Sequence, residues 1–172
     1  FIRQPADGLA LLGVKASEVK DVIITHLHYD HVGNVDRLPN AQFYLQESEM
    51  AFYTGPVAHY DRFSRSIEVE DVVNLVRANY GGRLHLLDGD LELAPGITLL
   101  PTPGHTPDHV SVLVQSQGQQ AVITGDMMHH PIQVSLPEHP ATFDMDAPAG
   151  IATRVAFVER FRDQPVLVIG SH

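Results

Sequence analysis

The chain has 172 residues, a formal net charge of −10 and an ordinary globular balance of 44% hydrophobic and 19% charged residues. It has the size of one domain, and its acidity argues against a nucleic acid as partner. The absence of cysteine from the sequence excludes disulfides and thiolate chemistry, whereas eleven histidines supply many metal ligands and acid–base groups.

The predicted elements mix strands and helices along the chain. Short apolar or alternating runs predict strands, and apolar residues at helical spacing predict helices. In chain order they are strands 21–25 and 41–46, helix 47–55, an aromatic-bearing loop 56–66, helix 69–82, strands 83–87, 91–93, 97–101, 109–116 and 119–125, helix 146–163 and strand 165–172. This order, with adjacent hairpins and no visible domain boundary, predicts a single α/β domain over 1–172 in which helices cover a mixed sheet.

The last predicted helix is the most clearly marked. Asp146 can cap its start, and Pro148 suits its first turn. Its apolar residues recur at helical spacing and predict one buried stripe. The stripe consists of Ile151, Val155, Val158 and Phe161.

The segment THLHYDHVGN follows the first predicted strand and concentrates side chains that bind metals. Alternate residues of a strand face the same way, so His26 and His28 are expected on one face at its end. Asp30 and His31 are then expected on the following loop. Imidazole and carboxylate together suit Zn²⁺ or another first-row divalent ion, and the cluster therefore predicts metal binding.

Three later stretches have a common form: an apolar strand, a turn of small residues, then a metal-capable side chain. PTPGHTPDH carries His105, AVITGD ends in Asp126, and VLVIGSH ends in His172. Together with the first cluster they offer ligands for two adjacent metals.

The series HxHxDH, PGHTP, TGD and GSH, in this order, resembles the metallo-β-lactamase superfamily. The resemblance implies an αβ/βα sandwich, two mixed sheets flanked by helices. It also implies that N-terminal strands are missing and that the domain is incomplete at both ends, since members normally have further strands outside these motifs. The implied ligands are His26, His28 and His105 on the first metal, Asp30, His31 and His172 on the second, and Asp126 bridging.

The implied cofactors are two divalent ions, with Zn²⁺ expected and iron, manganese or cobalt as alternatives. Two such ions can share a hydroxide that serves as nucleophile in hydrolysis. Asp30 or Asp126 is expected to pass a proton to the leaving group. Thr25 and the backbone around Gly104 are expected to orient the ligands.

The segments after HxHxDH most resemble the N-acyl homoserine lactonases, which implies a lactone or related carboxylic ester as substrate and a role in quorum quenching. Many such lactonases carry a tyrosine three residues after the bridging aspartate, where this chain has His129. His129 is therefore a candidate donor to an oxyanion or leaving group, or a sign of a different substrate. The alternatives are an organophosphate triester, a β-lactam or a thioester, and a metal-binding module without enzymatic activity.

Other residues have plainer interpretations. We expect His59, His85 and His139 on the surface, and Met127 and Met128 in packing. His109 and His130 are candidates for contacts around the site. Phe52, Tyr53, Tyr60 and Phe63 could line an acyl pocket or simply pack under a loop. The sequence shows no apolar run that could span a membrane; we expect a cytoplasmic protein, with a homodimer as candidate assembly.

Overall fold

Two separate β-sheets organise the chain, whose residues 5–172 are described by a computed structural model. The chain divides into two compact units, the first ending at Leu87 and the second running from Asp88 to His172. The first unit contains a three-stranded sheet and the second a five-stranded sheet. The prediction of one domain over 1–172 stays a prediction, and residues 1–4 of that range lie outside the described part. None of the helices within 5–172 is both long and apolar enough to cross a membrane.

The sheet of the first unit is entirely parallel, in the order β1-β2-β3. Parallel strands place their carboxyl ends at one edge of the sheet, so the residues that follow β1 and β2 emerge on the same side. The elements of this unit are α1 (Pro5–Leu11), β1 (Asp21–Ile23), α2 (Tyr29–Val32), β2 (Gln42–Gln46), α3 (Glu47–Thr54), α4 (Asp61–Ser64), α5 (Val69–Tyr80) and β3 (Leu84–Leu87), with 3₁₀ turns at Ala16–Glu18 and Val35–Arg37.

Local sequence explains the two longer helices of this unit. In α5 the buried residues Val72, Leu75 and Ala78 recur every three positions, which gives one apolar face. α3 ends at Gly55, where a Cβ would lie only 2.6 Å from the carbonyl oxygen of Ala51. Glycine is therefore the residue that fits this close turn.

The sheet of the second unit is mixed, in the order β4-β5-β6-β7-β8. Strands β4 to β7 pair antiparallel in sequence, and β8 joins β7 in parallel. The elements are β4 (Leu91–Ala94), β5 (Ile97–Pro101), β6 (Val110–Ser116), β7 (Gln119–Ile123), a 3₁₀ turn (Gly125–Met127), α6 (Ile132–Ser135), α7 (Ala147–Phe161) and β8 (Val166–Ile169). The mixed α/β class with two sheets and helices is the one that the sequence predicted.

The apolar core of the second unit contains both predicted packing methionines, Met127 and Met128. Its other buried members are Leu100, Leu113, Val122, Phe157 and Phe161. Of the stripe predicted for α7, Phe161 is buried and Val158 packs against the core. Ile151 and Val155 are only half-buried, and the other buried positions are Gly150, Arg154 and Phe157. The apolar pattern missed this face because it includes a glycine and an arginine. The predicted cap is confirmed: Asp146 accepts the N–H of Ala149 over 3.0 Å.

Two further segments differ from the sequence prediction. Asp30 and His31 lie on the short helix α2 rather than on a loop, and the predicted loop 56–66 contains α4. Both helices have only four residues, which is too short for an apolar periodicity to appear. The short helices α1 and α6 were not predicted for the same reason.

Acidic side chains gather around the start of α5. Burial and the negative charges of Glu68, Asp36 and Glu70 raise the pKa of Asp71. A carboxyl group whose pKa is raised by folding favours the folded state below its unfolded pKa and loses that contribution as the pH rises. The Asp71 carboxylate therefore opposes folding at neutral pH.

We expect Asp71→Asn to raise the melting temperature at pH 7 by about 1–2 °C, because it removes this charge. The gain should disappear as the pH is lowered below about 4, where the Asp71 carboxyl of the wild type is protonated and therefore uncharged, like the amide that replaces it. Melting curves from pH 3 to pH 8 measure the effect. Asp163→Asn removes the same charge from an exposed position and serves as control. A gain that is equal at both ends of the pH range would contradict the interpretation.

Candidate functional site

The first unit brings the four residues of the HxHxDH motif together. His26 and His28 follow β1 and are buried, whereas Asp30 and His31 lie on α2 and reach solvent. The His26 ring centroid is 4.7 Å from that of His28 and 4.2 Å from that of His31. Asp30 Oδ2 lies 3.4 Å from His31 Nε2. Three imidazoles and one carboxylate thus share one edge of this sheet.

Neighbouring side chains determine which nitrogens of the two buried histidines face outward. Thr25 Oγ1 lies 3.0 Å from His26 Nδ1; the role predicted for Thr25 in orienting a metal ligand stays a prediction. The Tyr53 hydroxyl lies 3.2 Å from His28 Nε2. A metal ion held by these two histidines would therefore bind to their other nitrogens, Nε2 of His26 and Nδ1 of His28.

The contacts behind His28 come from α3 and were not predicted. Because β2 runs parallel to β1, the helix that follows β2 begins beside the histidines that follow β1. Burial and the charge of Glu49 raise the pKa of Tyr53, so its phenol stays protonated at neutral pH. Glu49 itself is buried and accepts the N–H of Leu27 over 3.2 Å. Tyr53, read from sequence as an acyl-pocket or packing residue, thus contacts a predicted ligand.

The topology of the second unit brings Asp126, His105 and His172 to one edge of the sheet. β7 and β8 are parallel, so Asp126 and His172 follow strand ends at this edge. β5 runs antiparallel to β6, and β6 to β7, so the turn between β5 and β6 emerges there too and carries His105. His129 lies just beyond Asp126 along the chain.

Three imidazoles surround the carboxylate of Asp126, which is 3% exposed. Oδ2 lies 3.2 Å from His105 Nε2 and 3.3 Å from His129 Nε2. Oδ1 lies 3.3 Å from His172 Nε2. His105 is buried, whereas the His172 side chain is 43% exposed.

The separations of His105 and His172 from Asp126 fit ligands that share a metal ion. Charge-assisted hydrogen bonds between imidazolium and carboxylate are usually about 2.7–2.9 Å long. Two donors about 2.1 Å from one tetrahedral ion lie roughly 3.4 Å apart. The distances of 3.2 Å from His105 and 3.3 Å from His172 are closer to the second value. Nitrogen and carboxylate oxygen are also the donors that first-row divalent ions prefer.

A buried ion pair lies behind His105, and the sequence did not reveal it. Asp144 Oδ1 lies 3.7 Å from His105 Nδ1, and Arg154 Nη1 lies 3.0 Å from Asp144 Oδ2. Arg154 also donates to the carbonyl oxygens of Pro137 and Met127. Burial alone would raise the pKa of Asp144, but the nearby His105 imidazole and the hydrogen bond and charge of Arg154 lower it. Asp144 is thus an ionised carboxylate facing the outer nitrogen of a predicted ligand.

The turn that carries His105 packs directly on α7. Gly104 has φ +131°, and a Cβ there would lie 2.3 Å from the Cα of Gly150. The two backbones approach this closely because both residues are glycines and lack a Cβ. The carbonyl of Gly104 accepts the N–H of Asp146 over 2.9 Å, which ties the turn to the helix cap. That the Gly104 backbone orients the ligands stays a prediction.

The loop after Asp126 is fixed by the buried side chain of Gln133. Its Oε1 accepts the backbone N–H of His129 over 2.8 Å and that of His130 over 3.3 Å. Its Nε2 donates to the carbonyl oxygen of His139 over 3.1 Å. Gln133 therefore holds the backbone from which His129 reaches Asp126, whereas the His130 side chain is exposed.

The remaining residues singled out in the sequence fall into exposed histidines, the buried His109 and aromatic residues. His59, His85 and His139 are exposed, as expected. His109 is fully buried, and its Nε2 accepts the backbone N–H of Asp126 over 3.0 Å. Phe52 packs edge-to-face on Phe63 with ring centroids 5.2 Å apart. Tyr60 is 55% exposed, and its ring centroid lies 4.1 Å from that of the exposed His59.

Comparison with known proteins identifies the family of this chain. The sequence profile of the metallo-beta-lactamase superfamily matches residues 1–172, and the chain therefore belongs to this superfamily. An N-acyl homoserine lactonase from a Bacillus species is 30% identical over 115 residues, which cover 67% of this chain and 40% of that protein.

Solved structures share the fold. The crystal structure of AbOPH, described as a hydrolase in the beta lactamase superfamily, has 25% sequence identity and a TM-score of 0.80, and the match covers 97% of this chain and 61% of that one. AidC, described as a dizinc quorum-quenching lactonase in complex with a product, has 22% identity and a TM-score of 0.81, with 97% and 62% covered. The chain thus spans about 40% of the length of the curated lactonases that it matches and about 60% of these structures.

The Arg154–Asp144 pair makes a prediction about stability. Both side chains are buried, so removing the arginine would leave an uncompensated carboxylate in the interior. We expect Arg154→Met to lower the free energy of unfolding by about 3–5 kcal/mol, measured by denaturant titration. Asp144→Asn in the same chain should recover about 0.5–3 kcal/mol of this loss.

The matched control is Arg162→Met, which removes an arginine from an exposed pair with Glu159. Exposed pairs contribute about 1 kcal/mol or less. Equal losses for the two arginine variants, or strictly additive losses in the double variant, would contradict the assigned role.

Proposed function

We propose that this protein is a metal-dependent hydrolase that opens a lactone or a related carboxylic ester. The observation that carries the proposal is the buried Asp126 carboxylate, whose two oxygens lie 3.2–3.3 Å from three imidazole nitrogens. The superfamily membership and the lactonase named among the relatives support it.

The proposed metal ligands follow the order of the superfamily motifs along the sequence. Each unit offers imidazole and carboxylate donors at the edge of its own sheet. The proposed ligands are His26, His28, Asp30, His31, His105, Asp126 and His172. Zn²⁺ is the proposed metal, because borderline-soft zinc accepts this mixture of nitrogen and oxygen donors.

When bound, two such ions lower the pKa of water and polarise the carbonyl of the substrate. The residues of the chain then have distinct tasks. Asp126 and Asp30 are the proposed proton carriers to the leaving oxygen. Asp144 holds the orientation of His105, as the Tyr53 hydroxyl does for His28.

His129 is the proposed contact to the substrate. Its Nε2 faces Asp126, whereas its Nδ1 is buried and has no hydrogen-bond partner among the described residues. A buried ring nitrogen without a partner costs free energy, and a polar group of the substrate would satisfy it. Gln133 fixes the backbone of His129, so the ring is held in place for such a contact.

The same position supports a second candidate substrate class. Many lactonases have a tyrosine where this chain has His129, and an imidazole differs from a phenol in both charge and donor geometry. An organophosphate triester is therefore the second candidate, and a β-lactam or thioester follows. Quorum quenching, a cytoplasmic location and a homodimer stay predictions.

Lactone ring-opening by the Zn²⁺-loaded protein tests the proposal. We expect proton release from acyl homoserine lactones that needs metal and falls at least about 10³-fold in His105→Ala, because this substitution removes a ligand. His59→Ala, which removes an exposed histidine of the same kind, is the control. No metal-dependent turnover of any lactone, combined with turnover of a phosphotriester, would replace the first substrate class by the second.

The role of His129 can be tested separately. We expect His129→Phe to lower kcat about 10²-fold with little change in bound metal, since a hydrogen-bonding or proton-transferring group is lost. His130→Phe, at the adjacent exposed histidine, should leave kcat within about twofold. Steady-state kinetics with metal analysis measures both. Equal kcat values for wild type and His129→Phe would remove His129 from the site.

A further inference from the structure

A chain of buried hydrogen bonds begins and ends in the turn that carries Asp126. The backbone N–H of Asp126 donates to Nε2 of His109 over 3.0 Å. Nδ1 of His109 lies 2.8 Å from the hydroxyl oxygen of Thr102, which lies 3.0 Å from that of Ser111. Ser111 donates to the carbonyl oxygen of Thr124 over 3.0 Å. This series of hydrogen bonds thus ends at Thr124, two residues before Asp126, where it began.

The direction of every proton in this chain follows from its first and last members. A backbone N–H can only donate, so His109 Nε2 carries no proton. The proton of the neutral ring is therefore on Nδ1 and points to Thr102 Oγ1. Ser111 uses its single hydroxyl proton on the Thr124 carbonyl, so it accepts from Thr102. His109 is held in one tautomer by its surroundings.

This series of hydrogen bonds also reaches the strand ends that precede His105 and His172. Thr102 directly follows β5 and leads into the turn of His105. The backbone N–H of Thr124 donates to the carbonyl oxygen of Ile169 over 2.9 Å, three residues before His172. His109, Ser111 and Thr124 are each 0% exposed, so water cannot replace a lost hydrogen-bond partner.

We propose that His109 is a positioning residue for the Asp126 carboxylate. Its imidazole accepts the Asp126 N–H and transmits the position of β5 and β6 to the turn after β7, so that the carboxylate faces His105, His129 and His172. The consequence for metal binding rests on the proposed function, whereas the tautomer and the hydrogen-bond chain do not.

Two measurements on the full chain test the proposal. Long-range ¹⁵N–¹H NMR should show His109 with a proton on Nδ1 and a bare Nε2. Competition with a chromophoric chelator should show that His109→Leu weakens Zn²⁺ binding about 10–100-fold. His109→Gln should restore most of this loss, because the glutamine oxygen can accept the Asp126 N–H in place of Nε2.

A second pair of variants keeps the test sharp if His109→Leu does not fold. Ser111→Ala removes one link of the chain and should weaken Zn²⁺ binding in the same direction, whereas Ser116→Ala, at the exposed end of the same strand, should not. A proton on Nε2 would overturn the proposal, as would folded variants of His109 and Ser111 with wild-type Zn²⁺ affinity. Wild-type protein that binds no Zn²⁺ would refute the proposed function, and the tautomer would then decide the positioning role by itself.

Discussion

A carboxylate removed from water must be compensated by positive charge or by hydrogen bonds. Asp126 is such a carboxylate: three imidazole nitrogens lie 3.2–3.3 Å from its oxygens, and His109 accepts its backbone N–H. The sheet order makes this possible, because β7 and β8 end, β5 ends and β6 begins at the same edge. The order of the strands thus determines which side chains surround the Asp126 carboxylate.

The two units use the same principle with different partners. In each, histidines follow strand ends at one sheet edge, and a nearby segment supplies the groups behind them. In the first unit α3 provides Tyr53 for His28. In the second, Asp144 faces His105, and Arg154 on α7 pairs with it. Such contacts fix the rotation of an imidazole, and with it the nitrogen that faces a metal.

The sequence predicted the parts of this arrangement that depend on local pattern. Every predicted strand is present, and so are the helices over 47–55, 69–82 and 146–163. The two longer helices have apolar periodicities that exceed one turn, and the first was recognised by its end at Gly55. The motif histidines stand out because they cluster at strand ends. Asp30 and His31 were placed on a loop instead of α2, since four residues carry no periodicity.

The supporting residues depend on contacts between distant positions, which no local pattern records. Arg154 occupies a buried position of α7 and reaches Asp144, ten residues away along the chain. Charged side chains are mostly exposed, so its sequence context does not indicate burial. Gln133 and Glu49 are buried polar residues whose partners are backbone groups, and backbone groups leave no mark in a sequence. His109 was recognised only as a candidate, because its role depends on which strand ends meet.

The most direct test of this account is the number of divalent ions that the protein holds. Elemental analysis after loading with Zn²⁺ and exhaustive dialysis should give two ions per chain for the wild type, and fewer for Asp126→Asn, which keeps the shape of the side chain but removes its charge. A wild type that retains no ion, or an Asp126→Asn variant that retains as many as the wild type, would contradict the central place given to this carboxylate.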